Sequence, residues 1–418
     1  MPRPRLAPLL FALALASGHA HGEPPRPAHA PDSDTCVPLG QWLDPASGRV
    51  IPLRDALERL ARQQVVLLGE EHDNVQHHRW QLHTLIQLHT LQPRLALGLE
   101  AFPRRTQPAI DRWLAGELDE QAFLDAVQWR HIWNYDPEYY LPLLRFARMY
   151  RVPVYALNVD RKLIDRIGRE GWDNIPADQR EGIGDPAPAS ADYIEELQQI
   201  FGQHMHGGHG EEQTDPDSAR LLKSQGFQRF LQSQLVWDRA MAEAARQALD
   251  DGAPLVVGIV GAGHLMGGYG IPHQLAALGV HKVHGLLPWD GAIPCEQLQP
   301  GLADLAFGLR PPEPRQKTPH PRLGIYLAAD EQGVKIQRLV PGSIAERLGL
   351  QAGDRIVELA GLPVARIDDV IERVRRTAFG TWLPLVIERQ GKRLEKLAKF
   401  PPRTPPADVD NPPRTVTK

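Results

Sequence analysis

VVLLGEEHDN, residues 65–74, is the stretch whose reading decides the fold. Four consecutive apolar residues, Val65 to Leu68, suit a strand covered on both faces. Gly69 lets the chain turn off that strand, and Glu70, Glu71, His72, Asp73 and Asn74 follow with no apolar residue among them. Runs of the same kind recur at 95–99 (LALGL), 153–157 (PVYAL), 255–260 (LVVGIV) and 283–287. Between them, the spacing of apolar residues predicts helices over 75–91, 138–150, 160–171, 190–201 and 227–249. Strands alternating with helices predict an α/β domain whose sheet is mainly parallel and flanked by helices. The spans 102–152 and 160–250 hold no convincing strand and are expected as helical insertions.

The chain has 418 residues, of which 42% are apolar and 23% charged, enough for two cores. Lys+Arg number 47 against 51 Asp+Glu, a formal charge of −4, so no basic excess points to nucleic acid. Arg3 and Arg5 followed by an apolar run at 6–16 and by Gly18-His19-Ala20 read as a secretory signal peptide over 1–20. No later segment is long and apolar enough to span a bilayer, and no cysteine follows the apolar run to accept a lipid. A periplasmic or exported protein is therefore expected, with at most peripheral association with the envelope. Polar, Pro-rich segments at 21–35, 310–321 and 401–418 read as a disordered leader, a linker and a disordered tail. They leave a large domain at 36–309 and a small one at 322–400. Cys36 and Cys295 flank the large domain, and an oxidising compartment favours a bridge between them over two free thiols.

In open parallel sheets, ligands bind beyond the carboxyl ends of the strands. The residues there are Glu70, Glu71 and His72 after the first run, Glu100 after the second, Asn158, Asp160 and Arg161 after the third, and Gly261-Ala262-Gly263-His264 after the fourth. Two of these turns share the form Gly-x-x-His, at 69–72 and 261–264. His72, His264 and Glu70 could hold a divalent metal such as Zn²⁺, Mn²⁺ or Fe²⁺. Glu70, Glu71 or Glu100 could then activate a water as general base. A buried hydrogen-bonded network that merely orders the loops is the structural alternative. Asn158, Asp160 and Arg161 would line the pocket. A second cluster, His204-Met205-His206-Gly207-Gly208-His209, suits haem iron or a transition metal, or is a surface loop without a role.

LLGEEHDNVQHHRWQ, GLEAFPRRTQPAIDRW, the tract 133–158 with Asp160-Arg161, QLVWDRAMAE and GAGHLMGGYGIPHQL together resemble the ChaN-type haem-binding uptake proteins. These belong to a superfamily with the Tiki and TraB proteins and the erythromycin esterases. The resemblance covers 36–290 and implies an iron-linked role at the cell envelope, with haem bound through a tyrosine, within one subunit or between two subunits of a homodimer. The tyrosine is not fixed by the likeness: Tyr193 and Tyr269 are candidates, with Tyr139 and Tyr140 behind them. The Tiki relatives look like metalloproteases that use Gly-x-x-His motifs.

The small domain reads PGSIAERLGLQAGDRIVELAG at 341–361 and carries an amphipathic helix at 367–376. It resembles a PDZ domain of the bacterial envelope kind. Leu323, Gly324, Ile325, Tyr326 and Leu327 match that family's carboxylate-binding loop, where the C-terminus of a peptide or protein adds a strand to the sheet. The sequence thus predicts an exported haem- or iron-binding protein that docks through a PDZ module. A metal-dependent hydrolase of the peptidase or esterase class is the alternative, and a non-catalytic envelope scaffold a third.

Overall fold

The computed structural model describes residues 36–205, 221–311 and 321–402. The expected signal peptide and leader, His206 to His209, most of the linker and all but the start of the tail lie outside these residues. The described residues form two compact units, one on each side of the linker.

The first unit is built on an eight-stranded sheet in the order β2-β1-β8-β7-β3-β6-β4-β5. The strands are β1 Trp42–Asp44, β2 Arg49–Ile51, β3 Val65–Glu70, β4 Ala96–Pro103, β5 Val154–Asn158, β6 Val256–Gly261, β7 Val283–Trp289 and β8 Leu305–Gly308. β3 to β8 run parallel, while β1 pairs antiparallel with β8 and β2. Alternate residues of the apolar strands enter different cores. Val66, Leu68, Leu97, Leu99, Val257 and Ile259 pack with Trp80, Leu85 and Leu88 of the helix Val75–Leu91 and with the helix Leu141–Tyr150. Val65, Leu67, Ala96, Val256 and Val260 pack with Met241, Ala242, Ala245 and Ala248 of the helix Gln225–Asp250 and with the helix Ile271–Ala277. Two helical layers thus cover the sheet, which is why its strands carry unbroken apolar runs.

Side-chain caps fix two of the helix starts. Asn74 accepts from the amide of Gln76 to begin the helix that leaves the Glu70–His72 turn, and Ser224 accepts from the amide of Phe227 to begin the long one. Cys36 and Cys295 are disulfide-bonded, with Cα atoms 5.7 Å apart.

The second unit is an antiparallel sheet in the order β14-β13-β11-β10-β9, with β12 paired to β11. Its strands are β9 Ile325–Asp330, β10 Gly333–Leu339, β11 Arg355–Leu359, β12 Leu362–Pro363, β13 Trp382–Arg389 and β14 Lys392–Lys399. The helix Ile367–Arg376 lies against β9, and Val370 and Val374 enter the core beside Leu323, Val334 and Ile387. Among the described residues, no helix is long and apolar enough to cross a membrane.

Candidate functional site

β3, β6 and β4 are neighbours in the sheet, and their carboxyl ends bring Glu70, Gly261 and Glu100 together. Glu70 ends β3 in register with Gly261. Glu70 is buried and fully engaged. Its Oε1 accepts from His72 Nδ1 at 2.8 Å and from the Tyr140 hydroxyl, and its Oε2 accepts from Gln81 Nε2 at 2.9 Å. His78 Nδ1 sits 3.3 Å from Oε2 without hydrogen-bond geometry. Burial would raise the Glu70 pKa, but the His72 bond, the two nearby imidazoles and the Tyr140 bond outweigh it and hold the carboxyl below its ordinary value.

The second half mirrors the first. His264 Nδ1 donates to Asp238 Oδ1 at 2.7 Å, and Tyr193 donates its hydroxyl to Asp238 Oδ2 at 2.7 Å. Asp238 comes from the long helix and is fully buried. Glu100 lies between the halves. Its Oε2 accepts from the Gly261 amide at 2.6 Å, and its Oε1 is 3.6 Å from His264 Nε2. A Cβ on Gly261 would lie 3.3 Å from His72 Nε2 and 3.6 Å from Glu100 Oε2, so this glycine lets the His72 ring close over the end of β6. Both imidazoles therefore use Nδ1 for a carboxylate and hold Nε2 near Glu100. Burial alone would lower the His264 pKa; Glu100 and then Asp238 push it up to about 9. His72 is also raised against the effect of burial, by Glu70 and Glu100, with His264 opposing.

Surrounding residues fix the frame. The Glu71 amide donates to His77 Nδ1, so His77 Nε2 carries the proton that faces Asp290 at 3.1 Å. Asn74 Nδ2 donates to the same Asp290 oxygen at 2.8 Å. Aromatic rings wall the cluster: Trp133 is 4.6 Å and Tyr135 5.3 Å from His72, and Trp237 is 5.2 Å from His264, all centroid to centroid.

The structure therefore brings Glu70, His72, Glu100 and His264 together and places the other expected residues outside this cluster or at its margin. Glu71 is exposed and joins the network through its backbone, its amide donating to His77 and its carbonyl accepting from the Asn74 amide. Of the expected metal set, Glu70 accepts from His72, Tyr140 and Gln81, and the Nδ1 atoms of His72 and His264 face Glu70 and Asp238, which leaves the two Nε2 atoms toward Glu100. Among the described residues, no three His, Cys, Asp or Glu side chains are grouped to hold an ion. Asn158 is buried but acts on backbone, donating to the Glu100 carbonyl at 3.0 Å. Asp160 pairs with Arg105, and Arg161 is exposed beside Asp165, so neither enters the cluster. Tyr140 and Tyr193 are buried with their hydroxyls committed to carboxylates, and burial followed by those carboxylates pushes both phenols far up. Tyr139 is half-buried and stacks on His78 at 5.1 Å. His204 lies in the helix Ala191–Met205, its side chain outside what the structure describes.

Tyr269 differs from the other tyrosines. It is half-buried and packs on Tyr193 at 5.9 Å; its amide donates to the Met266 carbonyl, but its hydroxyl makes no hydrogen bond among the described residues. It stands on the His264 loop after Gly267 and Gly268, both at positive φ. A Cβ on Gly267 would lie 2.3 Å from the Tyr269 ring, so glycine sets where that ring lies. Gly263 and Gly268 face open space.

The family model for haem-binding uptake proteins of the Tiki superfamily, ChaN, matches residues 56–275, more than half of the chain. The chain belongs to this family. A PDZ-domain model matches residues 335–389. Among solved structures, ChaN of Campylobacter jejuni with cofacially bound haem is 17% identical, over 64% of this chain and 95% of that one, at a TM-score of 0.46. The PDZ domain of HtrA3 bound to a phage-derived ligand is 24% identical, over 19% of this chain and 82% of that one, at a TM-score of 0.17. The regulator of sigma-E protease RseP of Escherichia coli K12 is 38% identical over 82 residues. That match is 20% of this chain and 18% of that protein, so the chain spans less than a fifth of this relative's length.

The sequence reading missed Asp238 and the Tyr193–Asp238–His264 chain. The motif QLVWDRAMAE held the clue, because Asp238 is a lone carboxylate amid the apolar face of Val236, Ala240, Met241 and Ala242.

Proposed function

We propose that this is an exported haem-binding protein whose PDZ module docks it to the C-terminus of a peptide or protein. Family membership carries the haem reading, and the donor set fits it through Tyr269. A phenol hydroxyl without a hydrogen-bond partner among the described residues, on a glycine-shaped loop with open space beside it, suits an axial ligand of ferric haem. Burial and then Asp192, Glu196 and Glu195 raise its pKa, so the phenol keeps its proton until a cation competes for the oxygen. Behind it, Tyr193 and Asp238 join the Tyr269 loop to His264. Export is supported by the N-terminal targeting pattern and by the disulfide. The test is a hemin titration of the full chain. A shifted Soret band with a ferric-tyrosinate signature that Tyr269→Phe removes supports the proposal; no shift at micromolar hemin overturns it.

Peptide docking is supported by two orphan donors. The amides of Leu323 and Gly324 donate to no acceptor among the described residues, and β9 is an edge strand. They suit a terminal carboxylate and an added strand.

A second reading, hydrolysis, is favoured by the two carboxylate–imidazole pairs that hold Nε2 near Glu100. One imidazole could take a proton from water while the other gives one to the leaving group. Turnover of fluorogenic ester or peptide substrates that His264→Gln abolishes without loss of folding would support it. Elemental analysis of the natively purified chain would show whether Zn, Mn or Fe takes part.

A further inference from the structure

The open edge of β9 carries information about sequence as well as a place for a carboxylate. Ile325 and Leu327 share one face of β9 and are half-buried against the core that holds Val370 and Val374. On the facing helix, Ile367, Ile371 and Val374 recur at i, i+4 and i+7 and so share a face. Ile371 is exposed and Ile367 only half-covered. This pair of apolar faces lacks the strand that would complete it. The other face of β9 is different. Tyr326 is exposed, and the Arg338 guanidinium lies 3.6 Å from its ring centroid, across the β9–β10 pair. Arg338 pairs with no carboxylate among the described residues.

An added antiparallel strand places its residues directly opposite those of β9, each on the same face as its partner. With the carboxylate at the Leu323 and Gly324 amides, the terminal residue lies opposite Ile325, the second-last opposite Tyr326 and the third-last opposite Leu327. We propose that Arg338 reads the second-last residue of the docked C-terminus and selects an acidic side chain there, while the last and third-last side chains meet the apolar faces as in any such groove. This rests on the peptide-docking reading above and adds its sequence preference.

The experiment uses the full chain and fluorescein-labelled octapeptides with valine at the last and third-last positions, differing only in glutamate, glutamine or lysine between them. In anisotropy titrations at low salt, the glutamate peptide should bind about threefold tighter than the glutamine peptide, and the lysine peptide about threefold weaker, as suits an exposed charge pair. Arg338→Gln should collapse the three affinities to one value, and aspartate at the third-last position should weaken binding. Equal affinities in the unmodified chain, or a ranking that survives Arg338→Gln, overturns the proposed preference while leaving peptide docking in place. Failure of every free-carboxylate peptide to bind overturns docking itself.

Discussion

Asp238→Asn is the substitution that bears most directly on the site's electrostatics. The His264 imidazole is buried, which favours its neutral form, yet Glu100 and Asp238 raise its pKa from the ordinary 6.5 to about 9. A rise of that size corresponds to about 3 kcal/mol of preference for the imidazolium in the folded state. Because the folded pKa is the higher one, this stabilisation is complete below pH 6.5 and is lost as pH rises through about 9. Asparagine keeps an oxygen for the Tyr193 hydroxyl but removes the charge that faces His264 Nδ1. The pKa should then fall by at least about one unit, since hydrogen bonds between charged partners contribute about 1.5–3 kcal/mol. Two-dimensional NMR of the imidazole Cε1–H gives the pKa, and urea unfolding between pH 6 and 10 gives the linked stability. The unmodified chain should lose about 3 kcal/mol across that range through this group, and Asp238→Asn clearly less. A His264 pKa near 6.5 in the unmodified chain, or one unmoved by Asp238→Asn, would refute the reasoning.

Three further outcomes follow from other parts of the molecule. Cys36→Ser should cost about 5 kcal/mol by the loop-closure estimate for a sequence separation of 259, seen as a lower urea midpoint that reductant no longer changes. Gln107 covers the free edge of β5, donating to the Val154 carbonyl and accepting from the Ala156 amide, each at 2.8 Å; Gln107→Ala should cost about 1–3 kcal/mol in urea unfolding and promote edge-to-edge association on size-exclusion chromatography. Gly324 has φ +78° and no room for a Cβ, which would lie 2.3 Å from Ser343 Cβ; Gly324→Ala should abolish peptide binding and lower the unfolding temperature of the PDZ unit, and retained affinity would contradict the assigned carboxylate loop.

The inner strands were legible because apolar residues crowd into runs too short for helices and bounded by turn residues. β1, β2 and β8 were not. WLD, RVI and LAFG are three or four residues long, and their place is set by pairing with one another and with β7. Within the site, Glu70, His72, Glu100 and His264 could be found because the strand-end rule ties each to a visible apolar run. Asp238 and Tyr193 could not be joined to them by that rule, since they arrive from helices on different parts of the chain. The hydrogen-bond pattern of the two imidazoles was illegible for a related reason. Spacing shows that imidazoles and carboxylates reach the same end of the sheet, but not that Glu70 and Asp238 have already taken one nitrogen of each ring.

The most direct measurement is the position of iron in crystals of the full chain grown with hemin, located by anomalous scattering. The account predicts an iron peak within ligand distance of the Tyr269 hydroxyl, on the loop that carries His264. An iron peak bound elsewhere with the Tyr269 hydroxyl unligated, or no bound hemin at all, would contradict it.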